Sequence, residues 1–305
     1  MARYIVKRII SAIITIWFIM TLTFVLMNAI PGDPISTGKA LQPEVRAAVE
    51  AKYGLDKPLF EQYVTYLKNF MHGDFGVSFQ KIGLTTNQII ADGFPYSLRI
   101  GGWSSVFIII VGIFLGIVSA LKQNKVPDRI SMIIATLGAT IPSFVFATLF
   151  LYIFNRKLGW VPSFGADTWK HYIGPVLCIG MFSLAYVTRL TRTSVLDVLQ
   201  QDYIRTARAK GLSEGIVIIK HALRNALIPV VTYLGPMIAS LITGSFVVEK
   251  VFGIAGIGSL FTTSITNRDY TLIVGITVFF GIFIVIATLL VDILYVFIDP
   301  RIKYD

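Results

Sequence analysis

From Ile9 to Ile30 the chain runs 22 residues without a charged side chain. At 1.5 Å per residue, a helix of that length reaches about 33 Å, close to the apolar thickness of a bilayer. Further apolar runs follow at about 98–121, 130–154, 172–188, 227–248 and 272–298, the 172–188 stretch being short and interrupted by glycine. Composition agrees. Of 305 residues, 55% are hydrophobic and only 14% charged, where a soluble domain carries roughly a quarter charged. The expected fold is an all-α integral membrane protein of six transmembrane helices.

The charges orient it. Arg3, Lys7 and Arg8 precede the first run, which exceeds the roughly 7–15 apolar residues of a secretory leader. It reads as an uncleaved span with a cytoplasmic N-terminus, and six spans return the C-terminus to the cytoplasm. Segments 1–8, 122–129, 189–225 and 299–305 then hold 15 of the 27 Lys and Arg in 60 residues, and the outer segments hold 12 in about 108. This bias follows the positive-inside rule.

Three regions result: a first helix at 1–30, an extracytoplasmic subdomain at 31–96 and a five-helix core at 97–305. In the subdomain, Pro31-Gly32-Asp33-Pro34 stops the first span, Pro43–Tyr53 predicts a helix closed by Gly54, and Pro58–Phe70 predicts a second with Phe60, Tyr63, Leu67 and Phe70 on one face. Residues 72–79 form a glycine-punctuated turn. The fifth span carries Pro229, Thr232, Gly235, Pro236, Ser240, Thr243 and Gly244. Such small and hydroxyl-bearing residues fit close helix packing or the wall of a wet cavity; Thr232, Pro236, Ser240 and Thr243 are the candidate lining. Residues 249–270 are too short and broken to span and predict a loop or short helix dipping back from the outer surface. Asp292 lies near the inner end of the last span, where it snorkels, pairs with Arg301 or serves the pathway.

The inner loop Asp202–Pro229 is basic, with helix-forming residues throughout. Tyr203, Ile204 and Ala207 make an apolar face, Arg205, Arg208 and Lys210 crowd the rest, and Gly211 supplies a left-handed stop. Ser213 is placed to cap a second helix through Ile216, Ile219 and Leu223. Spacing alone fits equally a docking element and an ordinary positively charged inside loop.

Several chemistries are missing from the sequence. There is no GxxxxGK[ST] phosphate loop, no HExxH and no GxSxG elbow, and His72, His171 and His221 are isolated. The single Cys178 lies in an apolar run, so neither a disulfide framework nor a thiolate metal site is available. Net charge is +10, spread over loops without a nucleic-acid-like block. Neither a charged relay nor a selectivity filter is evident, and the expectation is a pathway powered from outside the chain.

The chain closely resembles the membrane subunits of bacterial ABC importers, and among them the B-type permease of the oligopeptide/dipeptide/nickel family. The inner loop resembles the family's coupling motif in Arg205-Thr206-Ala207, Gly211 and Pro229. Pro31-Gly32-Asp33-Pro34, Tyr53-Gly54-Leu55-Asp56, Gln62-Tyr63 and Gly73-Asp74-Phe75-Gly76 with Ser78 match the outer subdomain. Asn267-Arg268-Asp269-Tyr270 and Asp292, Tyr295 and Asp299-Pro300-Arg301 match the last outer loop and the C-terminus. Arg205 stands where the general motif has Glu, a habit of the peptide branch, and Ala255 replaces the usual Pro in Phe252-Gly253-Ile254-Ala255-Gly256.

The resemblance implies a type I importer permease in a bacterial plasma membrane, paired with a C-type permease, two cytoplasmic ATPase subunits that bind ATP and Mg, and an extracellular or periplasmic solute-binding protein. The chain itself holds no cofactor. Asp202, Tyr203, Arg205, Thr206, Ala207, Arg208, Lys210 and Gly211 would meet an ATPase, with Gly211 and Pro229 as the hinge. Residues 31–96 and 249–270 would meet the binding protein, with Phe252, Gly256, Gly258, Arg268 and Asp269 at the outer gate. A nickel or other small-solute importer, a self-sufficient carrier or channel, and a structural or regulatory membrane protein are the alternatives.

Overall fold

A computed structural model describes residues 2–29, 50, 54, 56–78, 80–81 and 83–298, with side chains described between residues 6 and 290. It consists of helices. Among the described residues the β pairing is a single isolated bridge, Val77 to Thr85. The expected turn at 31–34, the helix at 43–53 and the motif at 299–301 lie outside the described residues, as does the side chain of Asp292. Gly54 does adopt φ 68°.

Helix α1 (Ala2–Ala29) leaves most of its apolar side chains exposed, among them Ile13, Trp17 and Phe18, the arrangement of a helix bathed in lipid. Helix α2 (Leu59–Met71) buries no residue fully. It lies against the outer half of α1, where Tyr63 Oη meets Thr21 Oγ1 at 2.6 Å and the Tyr63 and Tyr66 rings flank Phe24.

Helix α3 (Thr86–Leu121) begins earlier than the expected outer boundary at residue 96. Thr85 supplies the reason: its side chain accepts from the Gln88 amide while Gln88 accepts from the Thr85 amide, a reciprocal cap. The next apolar run is not straight. Helices α4 (Val126–Thr140) and α5 (Ser143–Lys157) meet at 108° across Ile141-Pro142. Proline has no amide to continue the ladder and turns the preceding residue to extended geometry; Ile141 has ψ 120°. Five described helices are long and apolar enough to cross a bilayer, and the bent pair makes a sixth crossing if taken as one span.

Helix α6 (Lys170–Leu199) is much longer than the apolar stretch 172–188 suggested. Its polar second half stays helical because it is packed: Thr188, Thr191 and Val195 are fully buried. The remaining elements are α7 (Asp202–Ala209), α8 (214–226, with a π-helical middle), α9 (Ile228–Ile242), α10 (Phe246–Val251), α11 (Ile257–Thr266) and α12 (Tyr270–Ile298).

Helix α3 ties the two ends of the molecule together. Near its start, Ser97 donates to Glu249 at 2.8 Å; near its finish, Ser119 bonds Asp128, which also holds Arg192 of α6 at 2.8 Å. These clusters are 22 residues apart, about 33 Å along a helix, so they mark opposite faces of the membrane. Residues 122–128 and 192 then share one end, and residues 97 and 249 the other, matching the charge-derived topology.

Candidate functional site

At the cytoplasmic end, α7 and α8 form a helical hairpin. Ile204 and Ala207 of α7 and Val217 and Ala222 of α8 make a small core of their own, against Val198 and Leu199 at the end of α6. Gly211 makes the turn, at φ 76°, a conformation that costs other residues roughly 1–2 kcal/mol. The hairpin is also clipped by polar contacts. Arg208 bonds Glu214 through Nη2 at 2.6 Å and Nε at 3.2 Å, and Asn225 donates to Tyr203 Oη at 2.8 Å.

Two sequence expectations change here. Ser213 occupies the N-cap position with extended geometry but makes no side-chain cap. The second helix does run through Ile216, Ile219 and Leu223, but only Leu223 of the three packs inward: Ile219 is 72% exposed and Ile216 46%. The π-helical turn at Val217–Ala222 adds a residue to the repeat and rotates Val217, Ala222 and Ala226 into the core instead. Ile216 and Ile219 are thereby left exposed on α8, and Leu212 is exposed in the turn before it, so that three apolar side chains lie open outside the membrane spans. Arg205 and Lys210 are exposed beside them, as are Asp202 and Thr206. Arg208 is committed to Glu214, which narrows the free donors expected of this helix.

Glu214 is held below its ordinary carboxylate value by the hydrogen bond from Arg208. The clip is therefore complete at neutral pH and is released as pH falls through that depressed value. Amide exchange at residues 211–216 is expected to accelerate on acidification, and Glu214→Gln should remove that acid step. A Gln variant with an unchanged acid step would show that Glu214 is not the group responsible.

Helix α9 begins at Ile228 with Pro229 in its first turn, where a missing amide is harmless. Of the expected lining residues, Thr232, Pro236 and Ser240 are all exposed on one face at i, i+4 and i+8, and Thr243 is half-buried. Tyr233, on the flank of that face, packs at a tilt against Tyr186 of α6 with centroids 4.3 Å apart. Tyr186 and Phe182 are themselves exposed, so the two helices present one continuous face of rings and hydroxyls.

At the outer end, α10 and α11 fold back over α3 and α12. Of the residues expected to form a contact surface here, Phe252, Gly256, Gly258 and Asp269 are buried. Phe252 joins an aromatic cluster with Phe150, the two ring centroids 6.3 Å apart. Asp269 accepts from Ser78, linking the loop after α2 to the start of α12. Only Arg268 of the five is exposed, at φ 58°. Sequence reading missed the residue at the centre of this region, Glu249, which is fully buried. Its one available signal was a carboxylate at the edge of an apolar span, close to three glycines.

The chain matches the family described as binding-protein-dependent transport system inner membrane component over residues 112–304. The corresponding N-terminal family matches residues 1–100. Over 306 residues, covering 100% of both chains, it is 43% identical to the oligopeptide transport system permease protein OppB of Haemophilus influenzae. It is 46% identical over 308 residues to the dipeptide transport system permease protein DppB of Bacillus subtilis, covering 99% of this chain and 98% of that one. Among solved structures, an amino acid ABC transporter crystallised with histidines superposes with a TM-score of 0.56 at 16% identity, covering 68% of this chain and 93% of that one. That likeness bears on the fold, which is the permease fold of ABC importers.

Proposed function

We propose, for a chain that belongs to the family of binding-protein-dependent transport system inner membrane components, a role as one half of the peptide pathway in an ATP-driven importer of a bacterial inner membrane. The peptide cargo follows from relatives named for oligopeptide and dipeptide transport that align along their full length. In this reading the α7–α8 hairpin sits in a cleft of a cytoplasmic ATPase subunit, a C-type permease covers the Thr232, Pro236 and Ser240 face of α9, and a solute-binding protein delivers cargo from outside. ATP and Mg belong to the ATPase partners.

The observation that carries the proposal is the exposed strip Leu212, Ile216 and Ile219 beside Arg205 and Lys210. It lies outside the spans, so lipid does not cover it, and apolar exposure flanked by polar groups is the anatomy of a docking surface. Its seating explains transmission. The hairpin core rests on Val198 and Leu199, and Ala226 at the end of α8 packs with Val195 of α6 and Ala120 of α3. A push on the hairpin thus reaches α3, α6 and α9 together. Flexing at Gly211 would break the Arg208–Glu214 and Ile204–Val217 contacts, so Gly211 shapes the hairpin and the piece moves as a unit.

The test is ATPase activity of the reconstituted complex, with and without this chain, in response to peptide-loaded binding protein. Stimulation that requires this chain supports the proposal. Stimulation by a metal chelate and by no peptide would assign the chain to a nickel importer, and solute flux through the chain alone in liposomes would make it a self-sufficient carrier.

A further inference from the structure

Glu249 is a fully buried carboxylate with no cationic partner among the contacts it makes. Among the described residues, every group that bonds it is a neutral donor. Oε1 accepts from Ser97 Oγ at 2.8 Å and from the Ser245 amide at 3.3 Å; Oε2 accepts from the Ser259 amide at 3.0 Å. The Gly258 amide also bonds it. Ser97 in turn accepts from the Ile257 amide at 2.9 Å. A Cβ on Gly244 or Gly256 would meet the Glu249 carboxylate closer than 3.0 Å. The surrounding backbone is shaped to this one side chain, and Gly244 reaches it at φ 87°.

The donors come from three places: the break between α9 and α10 (Ser245), the first turn of α11 (Gly258 and Ser259) and α3 (Ser97). The carboxylate is their common acceptor, and the hydrogen bond from the Ile257 amide to Ser97 ties α11 to α3 beside it. Burial of an isolated carboxylate is costly unless its oxygens are satisfied, so a structure that keeps it has strong reason to keep all four donors in place.

We infer that Glu249 is the positioning residue of the outer gate, locking segment 245–259 onto α3 so that the outer cover of the pathway opens only when α3 itself moves. This rests on the permease reading above. It concerns the chemistry of the lock, which that reading does not specify. Glutamine fits the same volume but carries an NH2 group in place of one acceptor. Whichever way its amide turns, one of the amide donors Ser245, Gly258 and Ser259 loses its partner.

The assembled complex provides the test, in a Cys178→Ala background with Ile254→Cys as a reporter. Ile254 is 1% exposed and its amide donates to the Glu249 carbonyl at 2.9 Å. Glu249→Gln is expected to raise the rate of labelling at residue 254 by an externally added, membrane-impermeant maleimide by about 10- to 100-fold, the range for leaving a buried donor unsatisfied. It should also lower the ratio of stimulated to basal ATPase activity, through a raised basal rate. Ser97→Ala, which removes the α3 link to both Glu249 and the Ile257 amide but leaves the Ser245, Gly258 and Ser259 amides bonded to the carboxylate, should also raise labelling. If Glu249→Gln does not accumulate in the membrane, Ser97→Ala decides alone. Labelling at the parental rate in the variants overturns the inference. Parental complex that labels slowly yet shows no peptide stimulation would overturn the importer reading and leave the lock standing.

Discussion

Gly211→Val should leave the chain inserted and assembled, yet uncouple ATP hydrolysis from uptake, whereas Gly211→Asn should retain most activity. The contrast isolates the backbone. A Cβ at residue 211 meets nothing within 4 Å, so neither substitution is opposed by space. What differs is tolerance of φ 76°: asparagine visits this region readily and a β-branched residue is a strong outlier there. A penalty of about 2 kcal/mol is enough to shift a local two-state equilibrium about 30-fold. The opened turn would separate Arg208 from Glu214 and rotate Leu212 away from Ile216, dispersing the docking strip without touching a span. Peptide taken up per ATP hydrolysed, in proteoliposomes, is the measurement. A Val variant with the parental ratio would remove the hairpin turn from the coupling path.

Asp128→Ala should be the most destabilising single change at the cytoplasmic end. Asp128 caps several groups at once: Arg192 Nε and Nη2 at 2.8 and 2.9 Å, the Asn124 amide at 2.8 Å and the Ser119 hydroxyl. Asn124 sits at φ 63°, and its amide has that carboxylate as acceptor. Removing one partner of a fully buried pair costs about 3–5 kcal/mol. Here Asp128 is 5% exposed but Arg192 is 23% exposed, so water repays part of the loss and about 2–3 kcal/mol is expected. The readout is a lower thermal midpoint of the solubilised complex and less chain in the membrane, with Asp128→Asn intermediate. A midpoint unchanged in Asp128→Ala would show that α3, α4 and α6 are joined at this end by apolar packing alone.

The spans were legible because a bilayer imposes a length and a charge bias that a sequence displays directly. Helix α7 was legible too, since Ile204, Ala207 and Gly211 follow ordinary helical spacing and stop chemistry. Three features were not, each for a specific reason. Ile216 and Ile219 point outward because one π-helical turn adds a residue to the period, and a periodic reading assumes a constant one. The inner half of α6 is polar but helical because α3 and α4 cover it, which is a tertiary fact. Glu249 carries no motif of its own; its donors lie at positions 97, 245, 258 and 259, and only folding brings them together.

The 108° bend between α4 and α5 has a consequence for how the chain is made. Helix α4 has 15 residues, about 22 Å of helix, too short to cross roughly 30 Å of hydrocarbon unaided. As it leaves the ribosome, the apolar stretch on both sides of Pro142 must therefore enter the bilayer as one segment. The bend exposes backbone groups that lipid cannot satisfy. Helix α6, synthesised later, lies against α4, and a Cβ on Gly138 would meet the Met181 carbonyl at 2.8 Å. Pro142 sets the break locally, and the full angle is thus expected to be fixed after insertion, when α6 arrives. A ribosome-arrested chain ending before residue 170 should hold 126–157 as one crossing, kinked at Pro142 but short of the full 108° angle.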